Sequence, residues 1–214
     1  MERSRIWRVL QVLARIVCTI LFDLRVYGDR HIPRKGGVLL ISNHQSYLDP
    51  VLLAVGIDRP LSYMAKSQLF KHRAFAWLIR SLNAFPVEQG AGDVGAVKET
   101  ISRLQDGHVL NIYPEGSRSE DGEMLPLEKG AGLVVRRAKV PVVPAVIDGS
   151  HRAWPKGKKM FRPAKIRVMF GPAMDLSGLG RDEIMQKMES TLHQMLADLR
   201  AGRIIPNPPR DQRK

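Results

Sequence analysis

Two short apolar runs, Val38 to Ser42 and Val109 to Tyr113, constrain this chain most. Each is too brief for a helix, and each is preceded by turn-forming glycine: Gly36-Gly37 before the first, Gly107 before the second. A run of this kind is a strand buried inside a sheet, which needs cover on its faces. Helical patterns stand between such runs. A helix is expected from about Asp49, with Pro50 in its first turn. Others are expected over Phe70–Leu82, Val94–Gln105, Leu127–Lys139 and Asp182–Leu199. Further strands are expected at Ser62–Ala65, Ala84–Val87 and Ile166–Phe170. Val140–Ile147 carries Pro141 and Pro144, so it is expected at a sheet edge or a strand entrance. Alternating strands and helices give an α/β class: a mixed, largely parallel sheet flanked by helices. The stripe Ile184, Met185, Met188, Leu192, Met195, Leu196 and Leu199 reads as core.

The N-terminus reads as neither a signal peptide nor a spanning helix. Arg3, Arg5 and Arg8 precede an apolar stretch from Val9 to Leu24 that contains Gln11 and Arg15 and has no small-residue cleavage site after it. A spanning helix needs about 20 mostly apolar residues. At helical spacing Ile6, Val9, Leu10, Leu13, Val17, Ile20, Leu21 and Leu24 share one face. Such an amphipathic helix suits a membrane interface, and it equally suits packing on the protein's own core. The formal net charge of +13 implies an anionic partner: nucleic acid, anionic lipid or a phosphorylated substrate. No nucleic-acid-binding signature accompanies it, and aromatics are not interleaved with the basic residues. Cys18 is the only cysteine, which excludes an intramolecular disulfide and multi-thiolate zinc sites.

In α/β sheets, functional groups gather where strands end. Two strand ends here are polar: Asn43-His44-Gln45-Ser46-Tyr47-Leu48-Asp49 and Tyr113-Pro114-Glu115-Gly116-Ser117-Arg118-Ser119. A loop that turns back can bring Asp49 to one imidazole nitrogen of His44, leaving the other as a base. By itself His44-x4-Asp49 is equally a loop histidine beside a helix-capping acid. In the second loop, Arg118 suits bidentate phosphate binding and Gly116 close backbone approach, while a Glu–Arg surface pair would fit the same residues. Ser117 lacks the nucleophile-elbow pattern, and Cys18 sits in an apolar helix where a thiolate is disfavoured.

Taken in order, Asn43-His44-x4-Asp49, Phe85-Pro86-Val87, Tyr113-Pro114-Glu115-Gly116-Ser117-Arg118 and Val140-Pro141-Val142-Val143-Pro144 resemble the glycerolipid acyltransferase family, over roughly residues 25–175. Lys66 with Leu69-Phe70, and Lys129-Gly130, look like that family's stretches beside these motifs. The resemblance implies that His44 is the general base and Asp49 holds it. It implies that Glu115, Gly116, Ser117 and Arg118, with Lys66, Gln89 and Lys129, bind or position the acceptor. It implies no metal, no cofactor and no acyl-enzyme: acyl-CoA or acyl-ACP (acyl carrier protein) is the co-substrate and a lysophospholipid the acceptor. The family usually has arginine where this chain has Gln89. Besides 1-acylglycerol-3-phosphate, a lysolipid with a larger head group or an amino-acid lipid therefore stays open, as does a non-catalytic membrane adaptor. The expected organisation is a membrane-interface helix over 1–27, an acyltransferase domain over 28–200 and a basic, disordered tail over 201–214. The expected location is an anionic membrane's cytoplasmic face, peripheral or monotopic, with no nucleic-acid partner.

Overall fold

The computed structural model describes residues 5–81, 83–87, 94–158 and 160–209. Helix α1 (Arg5–Phe22) leads into a short strand β1 (Arg25–Tyr27). Then come β2 (Val38–Ser42), α2 (Asp49–Gly56), β3 (Leu61–Lys66), α3 (Arg73–Ser81) and β4 (Ala84–Val87). The second half contains α4 (Val94–Gln105), β5 (Val109–Ile112), α5 (Lys129–Ala138), β6 (Val142–Asp148), the single-turn α6 (Ser150–Ala153), β7 (Arg167–Phe170) and α7 (Arg181–Arg200). The strands form one sheet in the order β1-β7-β6-β2-β5-β3-β4, parallel throughout except between β6 and β7.

The uninterrupted apolar character of β2 follows from its central place. Val38 and Leu40 face a core shared with α1 and α2, while Leu39 and Ile41 face one built with α4, α5 and α7. The stripe on α7 lies in that second core, with Met188 and Leu192 fully buried. In register, Ile41 pairs with Ile112 of β5, and Ser42 with Ala145 of β6. Parallel β2, β3 and β5 therefore end on one edge of the sheet, and both polar loops leave from it.

Several boundaries differ from the expectation. Strand β1 is not apparent in the sequence, because three residues of mixed exposure carry no periodicity. Helix α3 begins at Arg73, with a 3-10 turn (Ser67–Phe70) ahead of it, and α5 begins at Lys129 because Glu128 is extended. Strand β6 is not an edge strand; it lies between β7 and β2. Its prolines are tolerated for a geometric reason. The Pro144 carbonyl accepts from Gly171 N at 2.8 Å, so the residue's missing N–H points the same way, to the end of β7. Pro144 stands opposite Gly171, just past the last ladder pair, Ala145 with Phe170, so proline forgoes only the one reciprocal bond at the end of the ladder. The tail expected to be disordered is held in part: His31 Nε2 bonds the Pro206 carbonyl, and Arg30 N donates to Asn207 Oδ1 at 2.9 Å.

Helix α1 divides its surface between two environments. Gln11 donates to the carbonyls of Ala54 and Ile57, closing the C-terminal end of α2, and Cys18 and Phe22 are buried with that helix. Val9, Leu10, Val12, Leu13, Ile16, Val17 and Ile20 all point outward, from 47% to 76% exposed. Arg8 and Arg15, seven residues apart, lie exposed on one flank of this face. Among the described residues no helix is long and apolar enough to cross a membrane.

Asn43 fixes the start of the first polar loop. Its amide donates to the Ile147 carbonyl and its carbonyl accepts from Ile147 N, both at 2.8 Å and both buried. Asn43→Ala strands both Ile147 groups. The expected loss is about 2–6 kcal/mol of unfolding free energy, since each of the two buried unpartnered groups costs about 1–3 kcal/mol. Urea denaturation at neutral pH measures it, and an unchanged midpoint would contradict the assignment.

Candidate active site

The chain turns sharply after β2 and brings Asp49, in the first turn of α2, back against the loop it has just left. Asp49 Oδ2 is the convergence point. His44 Nδ1 lies 2.8 Å away, Gln45 N donates at 2.6 Å and Ser46 N at 2.8 Å. The carboxylate is fully buried, and Oδ1 has no hydrogen-bond partner among the described residues. Burying a carboxylate costs several kcal/mol. Hydrogen bonds to a charged group contribute about 1.5–3 kcal/mol each, so three donors on one oxygen offset that cost. With Asp49 ionised, His44 Nδ1 is the donor, the tautomer is set, and Nε2 carries the lone pair. Among the described residues no group bonds Nε2, and the side chain keeps 18% exposure. The His44 ring also stacks on Tyr113, with centroids 3.8 Å apart and planes 14° from parallel. Nitrogen and ring plane are thus fixed by separate contacts.

The second loop locks onto the first. Glu115 Oε1 accepts from His44 N and Oε2 from Leu125 N, each at 2.8 Å, while Ser119 N donates to the His44 carbonyl at 2.8 Å. Both Glu115 oxygens thus hold backbone, and its visible contribution is to position His44. Burial pushes the Glu115 carboxyl from an ordinary 4.5 up to about 7; its two backbone donors oppose this shift and the Asp49 charge adds to it. Burial also raises the Tyr113 phenol well above its ordinary value. Gly116 takes φ +68°, and a Cβ there would lie 3.0 Å from Glu128 Cγ, so glycine serves both the turn and the packing.

Arg118 lays its guanidinium over the Tyr47 ring, Cζ 3.5 Å from the centroid. Its Nη1 is buried with no hydrogen-bond partner among the described residues. Ser117 is exposed at the turn, and Lys129 is exposed at the start of α5, where its carbonyl accepts from Arg181. Among the described residues no hydrogen bond or ion pair joins either to His44. Lys66 closes β3 on the same sheet edge; its side chain, and the whole of Gln89, lie outside the described residues.

Three further residues complete the site: Asn43, Tyr113 and Gln45. Gln45 is buried, donates to the Gly122 carbonyl at 2.8 Å, and lies 3.2 Å from His151 Nδ1. All three stand within the polar strand ends, yet their partners lie far along the chain. Only the run of polar residues directly after buried strands signals them.

The arrangement is an imidazole held at Nδ1 by Asp49, beside a neighbouring loop whose Arg118 stacks on Tyr47. The chain was also compared with known proteins. The family described as Acyltransferase matches residues 23–148. A 1-acyl-sn-glycerol-3-phosphate acyltransferase of Bacillus subtilis is 27% identical, over 86% of this chain and 92% of its own. One from Pseudomonas aeruginosa is 29% identical, over 92% and 75%. The crystal structure of the 1-acyl-sn-glycerophosphate (LPA) acyltransferase PlsC from Thermotoga maritima superposes with a TM-score of 0.78 at 27% identity. That match covers 94% of this chain and 85% of that one.

The Glu115 shift predicts a pH signature in stability. A carboxyl raised by folding holds a proton that the unfolded chain releases. Its stabilising contribution is present below pH 4.5 and is lost as pH rises through about 7. The stability difference between the parent chain and Glu115→Gln is therefore expected to fall, by on the order of 2 kcal/mol, across that window. Denaturant titrations at a series of pH values read it; a pH-independent difference would contradict the shift.

Proposed function

The chain belongs to the acyltransferase family, and on that premise we propose that it transfers a fatty acyl group from an acyl thioester to the hydroxyl of 1-acylglycerol-3-phosphate. The products are phosphatidic acid and a free thiol. The observation that carries the reading is the His44 ring, held at Nδ1 by buried Asp49 with Nε2 unengaged.

In this reading Nε2 takes the acceptor's hydroxyl proton as oxygen attacks the thioester carbonyl carbon. Asp49 stabilises the imidazolium that forms. The tetrahedral intermediate collapses, the C–S bond breaks, and the imidazolium returns the proton to the departing sulfur. Transfer is direct, with no metal and no acyl-enzyme. Cys18, the one thiol, is buried in α1 and its pKa is raised by that burial, which suits packing rather than nucleophilic attack. The Arg118 guanidinium takes the acceptor phosphate. The names of the relatives favour this acceptor over lysolipids with larger head groups or amino-acid lipids, although Gln89 replaces the family arginine. The donor is acyl-CoA or acyl-ACP. The outward apolar face of α1, flanked by Arg8 and Arg15, seats the protein on the cytoplasmic face of an anionic membrane from one side. An intact His44–Asp49 pair argues for turnover over a purely adaptor role.

The test is thiol release from acyl-CoA and acyl-ACP, with 1-acylglycerol-3-phosphate or larger-headed lysophospholipids presented on vesicles. Release that requires the phosphate acceptor is expected. His44→Ala should lower turnover by about 10²–10⁴-fold, the usual contribution of a positioned base, while folding as the parent does. Arg118→Ala should raise KM for the phosphate acceptor more than it lowers kcat. Undiminished turnover in His44→Ala would overturn the mechanism, and preference for a larger head group would overturn the acceptor.

A further inference from the structure

Between α6 and β7 the chain displays two large apolar side chains at the tip of a basic loop. Met160 is 81% exposed and Phe161 50%, with Lys158 and Arg162 exposed beside them. The loop is held in shape. Trp154 Nε1 donates to the Lys158 carbonyl at 2.8 Å, Arg162 N to the Ala153 carbonyl at 2.8 Å, and Arg162 Nε to the Arg152 carbonyl at 2.8 Å. These bonds anchor Lys158 and Arg162 on either side of the exposed pair, and Lys156 meets Glu120, just past the second polar loop, at 3.0 Å.

The surroundings indicate what covers this tip. The Phe161 ring meets Phe22 edge-on at 5.9 Å, so the loop adjoins the C-terminal end of α1, where Ile20 is 76% exposed. The apolar face of α1 and the apolar tip are thus neighbouring surfaces, each accompanied by cations. Apolar side chains interspersed with lysine and arginine match an anionic lipid interface, which offers hydrocarbon beneath a layer of phosphates. Inward, Phe161 packs on Trp154 at 6.1 Å, Trp154 on Tyr47 at 5.6 Å, and Tyr47 carries Arg118. A lipid surface that meets Phe161 therefore lies beside the arginine available for a head group.

We propose that residues 155–158 and 160–162 form a second bilayer contact, distinct from α1, in which Met160 and Phe161 enter the interface of an anionic membrane while Lys158 and Arg162 meet lipid phosphates. The proposal rests on the reading above that the acceptor is a membrane lipid, and its test does not depend on activity. Met160→Cys in a Cys18→Ser background, labelled with a polarity-sensitive fluorophore, is mixed with vesicles of phosphatidylcholine alone or with phosphatidylglycerol. A blue shift on the anionic vesicles, weakened by salt, is expected. Lys158→Gln in the full chain should lower affinity for those vesicles about fivefold, the effect of one interfacial cation. No spectral shift on vesicles with which the protein demonstrably sediments would overturn the proposal, whether or not acyl transfer is found. A shift in protein that transfers no acyl group would uphold the contact and count against the reading of its acceptor.

Discussion

Asp49 Oδ2 receives three donors at once, from the His44 ring and from the backbone of Gln45 and Ser46, and the polar end of the sheet is organised around that oxygen. A fully buried carboxylate needs such a cradle, and the cradle in turn dictates the loop. Two successive amides must point inward, which forces the chain to curl around the start of α2. That curl leaves His44 with one nitrogen engaged and one unbonded. Glu115 then braces the same loop through His44 N, and Tyr113 braces the ring. In the proposed mechanism a single orientation of the base matters because misplacement by about 1 Å can cost about 10²-fold in rate.

What was legible in the sequence follows from how local each signal is. Strands β2 and β5 declared themselves because burial on both faces leaves uninterrupted apolar runs. The helices α4 and α7 declared themselves through periodicity. Strand β1 could not, since three residues owe their conformation to pairing with β7 far along the chain. For β6 the prolines left an edge or a strand entrance open; Pro141 does stand at the entrance, while the strand itself is central, its Pro144 at the very end of the β7 ladder, which only the register of β7 reveals. Within the site, His44, Asp49 and Glu115 stand in recognisable spacings. The work of Asn43 depends on Ile147, 104 residues away, and that of Gln45 on Gly122 and His151. Gln11 looked like a flaw in an apolar helix, yet it is the side chain that closes α2.

The acyltransferase fold and the outward apolar surfaces proposed to meet a membrane share one logic. Helix α1 contributes to the core with a narrow strip and turns seven apolar residues outward. The core needs only that strip, so the outward face answers to something other than folding. Its basic flank and the large positive net charge point to the same kind of surface, an anionic one. The aromatic chain from Phe22 through Phe161 and Trp154 to Tyr47 then joins this side of the molecule to Arg118. On the proposed function, head-group binding and surface binding are adjacent tasks.

The central claim, that Asp49 fixes His44 with Nε2 as the unprotonated nitrogen, is open to direct observation by ¹⁵N NMR of the histidine rings at a pH where the imidazole is neutral. The account predicts that the His44 proton resides on Nδ1 and couples to a strongly downfield proton resonance that disappears in Asp49→Asn. A His44 ring found with its proton on Nε2, or one exchanging between both tautomers in the parent chain, would contradict it.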